Sequence, residues 1–191
     1  DLEGAGATYR EAVRISAEAG NPSMAIIAAT NLGDVLLAQG CQHQAAQIYA
    51  EALAQATQPD GGRAPLVDRI LCGLSHVSYA WNHLEDAAEQ ASECLAVSTQ
   101  WGNFDMQAGA WLLLAQIEGA QGRVDRSLEA IQTAKRLIDT VPMSGRRAAG
   151  LEGVLMGLWI QHGELDSPAE FVATRHLSPA DEIVAARELD Y

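Results

Sequence analysis

An apolar stretch with helical periodicity, closed by Gly or Asn, occurs four times in these 191 residues: Asn31–Gly40, Gly73–Asn82, Leu113–Gly122 and Val154–Gly163. The closing residues stand 42, 40 and 41 residues apart. A fixed period of this size means one supersecondary unit copied along the chain, stacked so that neighbours bury each other's apolar faces. Gly and Asn accept a left-handed backbone, so each closing residue is expected to end a helix.

The pattern just past each closing residue also recurs. A small residue leads into a second apolar stripe: Ala45 with Tyr49 and Ala52, Ala87 with Ala91 and Cys94, Ser127 with Ile131 and Ala134. Spacings of four and three put each trio on one helical face, and small side chains there let the paired helix come close. The unit is therefore helix, tight turn, antiparallel helix.

Breaker-rich stretches divide the units at Gly20–Ser23, Gln58–Gly62, Gln100–Asn103 and Val141–Gly145, with Asp60-Gly61-Gly62 the loosest. The expected organisation is a single array. Residues 1–20 form the second helix of a truncated unit, because Ala5, Tyr9 and Ala12 anticipate Ala45, Tyr49 and Ala52. Hairpins then span 21–60, 63–100, 104–142 and 145–176, and 177–191 begins a further unit at Ser178-Pro179. No segment reads as a strand. The absence of a starting Met leads us to expect a piece of a longer protein.

These residues resemble a tetratricopeptide (TPR) repeat. Its first-helix pattern is carried by Ala29, Leu32-Gly33 and Leu36, and again by Trp111, Leu114-Ala115 and Glu118. The unit of ~41 residues is longer than the usual tetratricopeptide. Together with Ala-Gln-Gly at the turn, it is similar to the superhelical region of MalT-type, ATP-dependent LuxR-family transcriptional regulators. That similarity is carried by Asn31–Ala52, Leu84–Trp101 and Gln161–Tyr191. The resemblance implies an all-α fold, a right-handed superhelix (solenoid) of antiparallel hairpins. It further implies a signal-sensing role, in which a small-molecule inducer or regulatory protein controls ATP-dependent self-association and transcription activation. The nucleotide-binding and helix-turn-helix domains for those steps lie outside these residues, which contain no GxxxxGK[ST] loop. The rival readings are a stand-alone adaptor for proteins or peptides, and a kinase or cyclase with a borrowed module of the same kind.

Leu32, Leu36, Tyr49, Leu74, Trp111, Leu114, Ile131, Leu155 and Trp159 are expected to pack between helices. Truncating a buried Trp111 would then cost about 3–5 kcal/mol. First helices line the concave side of tetratricopeptide folds. Projecting that geometry points Thr30, Asp34, Leu37, Arg69, His76, Tyr79, Leu112, Gln116 and Gln161 inward, a mixture suited to a polar small molecule or a peptide; the alternative is a merely solvated wall. Gly109, Gly119, Gly150, Gly153 and Gly157 interrupt helical patterns, and close helix packing is the expected reason, with a ligand at the backbone as the alternative. Arg123, Arg126, Lys135, Arg136, Arg146 and Arg147 cluster in one hairpin and its exit, either as local ion pairs on a solvated face or as a docking patch for an acidic partner or domain.

Composition excludes other classes. With 12 Lys+Arg against 25 Asp+Glu the net charge is −13, which repels nucleic acid and anionic membranes. There is no long apolar run and no basic leader. Three widely spaced cysteines, Cys41, Cys72 and Cys94, fit neither a disulfide framework nor a zinc knuckle, and point to the cytoplasm. The five histidines, including His43, His83, His162 and His176, fall at unrelated points of the repeat, and neither HExxH nor GxSxG occurs. Neither enzyme activity, metal nor cofactor is expected.

Overall fold

The computed structural model describes residues 1–57, 66–143 and 145–174, with the backbone alone for Arg146 and Thr174. The expected loose Asp60-Gly61-Gly62 turn and the unit beginning at 177 lie outside these residues.

Every described element is an α-helix: α1 (Leu2–Glu18), α2 (Pro22–Ala38), α3 (Gln42–Ala56), α4 (Val67–Ala80), α5 (Leu84–Trp101), α6 (Phe104–Ala120), α7 (Val124–Thr140), α8 (Gly145–Gln161) and α9 (Asp166–Thr174). The four closing residues adopt the left-handed conformation, with φ of 75° at Gly40, 59° at Asn82, 76° at Gly122 and 74° at Gly163. The same pair of bonds recurs around each. At the first, Gly40 N–H donates to Leu37 O (2.9 Å) and Cys41 N–H to Leu36 O (2.8 Å); at the third, Gly122 donates to Gly119 O (3.0 Å) and Arg123 to Glu118 O (2.9 Å). These bonds satisfy the last carbonyls of the outgoing helix and turn the chain within a few residues.

The helix starts after the inter-unit turns are capped differently. Asn21 Oδ1 accepts the Met24 N–H (3.1 Å), with Pro22 in the first turn. Asn103 occupies the same place before α6, although its bond to Met106 N–H is long at 3.5 Å.

Each helix packs on its chain neighbours, and α2, α4, α6 and α8 also contact one another in succession. Among the described residues, the backbones of α3, α5 and α7 do not approach each other as closely. The first helices of the units thus form the tight inner layer and the second helices the spread outer one, which curves the stack. Buried hydroxyls tie the two layers: Ser75 Oγ donates to Ala87 O and Ser127 Oγ to Ala115 O, each at 2.7 Å.

The core falls into three clusters along the stack: one with Leu32, Leu36, Tyr49, Ile70, Leu71 and Cys94, one with Ala87, Ala91, Leu113 and Ile117, and one with Leu112, Ile131, Leu151, Leu155 and Trp159. Three expected core residues are only half-buried: Leu74, Trp111 and Leu114. Trp111 and Leu114 floor a groove that opens because α5 and α7 stand apart.

Candidate functional site

The inner wall is built from one stripe of each first helix. On α2 and α4 it carries a polar junction between adjacent units. Asp34 Oδ1 accepts the Tyr49 hydroxyl (2.6 Å), and Asp34 Oδ2 accepts Arg69 Nη2 (2.7 Å), which also donates to Asn31 Oδ1 (3.1 Å). Tyr49 is fully buried. Its ring occupies the space left by two glycines: a Cβ on Gly33 would stand 2.5 Å from Tyr49 Cε1, and one on Gly73 closer still to Cζ. Burial first, then the Asp34 carboxylate, pushes the Tyr49 phenol well above its ordinary value, so the hydroxyl stays a proton donor.

A second junction joins α4 to α6. Asn103 Nδ2 donates to Asp68 Oδ2 (2.7 Å), and Asp68 Oδ1 accepts the Arg69 N–H (2.7 Å). Asp68 is 1% exposed, and that burial raises its pKa despite both hydrogen bonds. Farther along, Arg147 Nη2 reaches Met106 Sδ (3.0 Å), tying α8 to α6. His162 Nε2 lies 2.8 Å from Ser127 Oγ; because that hydroxyl gives its proton to Ala115 O, the imidazole is the donor there.

Between these junctions lies a sulfur–imidazole cluster. Cys72 and His76 stand one turn apart on one stripe of α4, the first half-buried and the second exposed, and Cys94 is buried on α5 opposite. A hydrogen bond from the Cys94 thiol holds Cys72 well below the usual thiol range; burial opposes this, while His76 and Arg147 add to it. Cys94 moves up, through the same bond and then burial. Loss of hydration alone would lower His76, but the Cys72 sulfur beside it prevails and raises it.

Of the expected inward residues, Asp34 and Arg69 are brought together and His76 lies two turns beyond Arg69 on α4, while Tyr79 is half-buried against Leu113 and Ile117. Gln116 is half-buried and Gln161 exposed farther along the wall. Thr30 and Leu112 are corrected: both are 2% exposed, Thr30 turned back onto Ile26 O (2.8 Å) and Leu112 in the core, so neither faces a ligand. The glycines divide. A Cβ at Gly109 would meet Leu151, and one at Gly119 would meet Ser127 and His162, at ordinary contact distance. Gly150, Gly153 and Gly157 on α8 face open space, so helix packing among the described residues does not account for them.

The expected basic patch is dispersed. Arg123 pairs with Glu118, whose carboxyl is lowered by that bond, and also donates to Gln121. Arg126 lines the groove between α5 and α7, and Arg147 turns toward Met106. Arg146's side chain lies outside the described residues. Lys135 pairs with Asp139 on α7.

Among the described residues, grooves open on the outer face between second helices. One, of about 430 Å³, lies between α5 and α7 over Trp111 and Leu114. Another, of about 270 Å³, lies between α7 and α9 over Leu155, Met156 and Trp159. Among the described residues no group of three or more His, Cys, Asp or Glu side chains could hold a metal ion, and no helix is long and apolar enough to cross a membrane.

Sequence reasoning missed Asn31, the Tyr49 hydroxyl, Asp68 with Asn103, and the pairing of Cys72 with Cys94. The signal for the last was present: the two cysteines stand eleven residues on either side of His83, in the turn of their hairpin.

The family model described as "MalT-like TPR region" matches residues 1–190. The chain belongs to this family. No curated protein sequence matches it. Among solved structures, BtubC (BKLC) from P. vanneervenii superposes with a TM-score of 0.63 at 22% identity, over 87% of this chain and 68% of that one. At that identity the likeness shows the fold alone, an all-helical repeat stack.

Proposed function

We propose that this MalT-like array is the signal-sensing part of a LuxR-type regulator, binding a polar small molecule or a regulatory protein on its inner wall. The family match across residues 1–190 is the observation that carries this reading. The wall supplies suitable chemistry, with a carboxylate and guanidinium at Asp34 and Arg69, an imidazole at His76 and an amide at Gln161. Because Asp34–Arg69 bridges two units, a ligand that competes for either group alters how those units meet. A bound ligand shifts the array only by its difference in affinity for two arrangements. In the intact protein, that shift would bias ATP-dependent self-association by an adjoining module and promoter binding by another. This part of the protein binds rather than catalyses, works in the cytoplasm and needs no cofactor. Arg126 is left for contact with a neighbouring domain.

The test is a thermal-shift screen of metabolites and candidate proteins on the 191-residue chain. At one hundred times Kd, a ligand adds about 2.7 kcal/mol of apparent stability. The expected result is a ligand whose effect is lost in Asp34→Asn and Arg69→Met but kept in Trp111→Ala. A ligand indifferent to both inner-wall variants overturns the assignment of the wall. A coding sequence without a phosphate loop upstream and a helix-turn-helix downstream overturns the regulator in favour of an adaptor.

A further inference from the structure

Cys72 and Cys94 meet across one hairpin. Ser75 Oγ on Ala87 O and Ser78 Oγ on Gln90 Oε1 (2.9 Å) hold α4 against α5, and Cys72 and Cys94 stand equally far, eleven residues, on either side of His83 in the turn of that antiparallel hairpin. Cys94 lies within the buried core cluster, and Cys72 packs against that cluster. The other hairpins have no such pair: Thr30 with Ala52 and Leu112 with Ala134 occupy the equivalent places. Cys72 is half-buried on the inner wall, while Cys94 lies beneath it, fully buried. His76 and the Arg147 guanidinium supply positive charge from α4 and α8; Asp34 on α2 and Asp68 on α4 are the opposing charges.

We infer that Cys72, His76 and Cys94 form an oxidation site for hydroperoxides, with Cys72 as the attacking sulfur and Cys94 as the resolving thiol. In the first step the Cys72 thiolate attacks the distal oxygen of ROOH. The O–O bond breaks, ROH leaves after taking a proton, and Cys72 becomes a sulfenic acid. In the second step Cys94 attacks that sulfur through its own, and the S–O bond breaks. The Cys94 proton leaves with the hydroxyl as water, and a Cys72–Cys94 disulfide remains. Cys72 is oxidised and the peroxide reduced. Positive charge one turn away at His76 favours the thiolate form of Cys72, and a partly exposed thiol next to a resolving one is the arrangement that oxidises reversibly. Such a bond would pin α4 to α5 and remove a negative charge from the inner wall next to His76.

The experiment uses the 191-residue chain, freshly reduced, with stoichiometric hydrogen peroxide, and reads intact mass and peptide maps. Cys41, in the preceding hairpin turn, is the internal comparator. The expected result is loss of two thiols and a linked peptide containing Cys72 and Cys94, with Cys41 free. Cys94→Ala, which copies Ala52 and Ala134, should fold and accumulate a dimedone-reactive sulfenic acid on Cys72. Alkylation of Cys72 should slow less from pH 8 to 6.5 than that of Cys41, which should slow about tenfold per unit as a free thiol does, and His76→Asn should restore the free-thiol slope. Oxidation of Cys41 ahead of Cys72 overturns the proposal. Sulfenic acid on Cys72 in the native chain without the Cys72–Cys94 link, or a Cys72 alkylation profile like that of a free thiol, overturns it as well.

Discussion

Tyr49 fills the gap that Gly33 and Gly73 leave between the first two units, and its hydroxyl fixes the Asp34 carboxylate that faces Arg69. Any Cβ at either glycine collides with a ring enclosed on all sides, so neither position can yield by a rotamer change. Gly73→Ala should therefore cost about 1–3 kcal/mol or more, read as a lower urea midpoint at unchanged slope, and Tyr49→Leu in the same chain should recover part of it. Tyr49→Phe keeps the ring and should cost only about 1 kcal/mol. Asp68 makes a different prediction, one of sign. Its folded-state pKa is raised by burial, so between the unfolded value and that raised value the folded chain holds more proton than the unfolded one. Stability contributed by Asp68 is thus greatest below the unfolded value and falls as pH rises through the folded one. Asp68→Asn, which keeps an acceptor for Asn103, should remove that slope from a pH series of chemical denaturation.

Helices that look alike in pattern differ in what covers them. Trp111 on α6 and Trp159 on α8 are both tryptophans on first helices, yet Trp159 is 9% exposed within the core while Trp111 floors an open groove. Trp159→Ala should cost about 3–5 kcal/mol, and Trp111→Ala about 1–3 kcal/mol, when compared in one urea titration. The groove exists because α5 and α7 bracket α6 without meeting, a relation between elements that periodicity within one helix does not encode. The glycines of α8 carry the opposite expectation from those beside Tyr49. A Cβ on Gly150, Gly153 or Gly157 meets nothing within 4 Å. Each Gly→Ala change there should stabilise by up to about 1 kcal/mol, seen as a higher melting temperature. A loss instead would mean that something packs against that face.

Across the whole stack, the fold was legible because its instructions are local. Gly40, Asn82, Gly122 and Gly163 end helices through their own backbone preference, and Ala45, Ala87 and Ser127 set close approach by their size; both signals survive in a linear reading. The inner wall was legible only in part. Asp34 and Arg69 each read as inward-facing, but their joining depends on how one unit sits on the next, and they are 35 residues apart in sequence. Thr30 is misplaced because projection from a general repeat is good to about one position, and one position turns a helical side chain by about 100°. Its neighbour Asn31 faces Arg69, while Thr30 turns into the core. Cys94 reads as a small buried residue, which it is; only its position opposite Cys72 gives it chemistry.

The wider spacing of α3, α5 and α7 has a mechanical corollary. With one layer joined rung to rung and the other slack, the stack behaves as a leaf spring: tightening or relaxing its bend strains the joined spine and merely widens or narrows the gaps behind it. Small-angle scattering should register such bending as a change in radius of gyration with no change in helix content. A disturbance at any rung of the spine is then felt as displacement at the far tip.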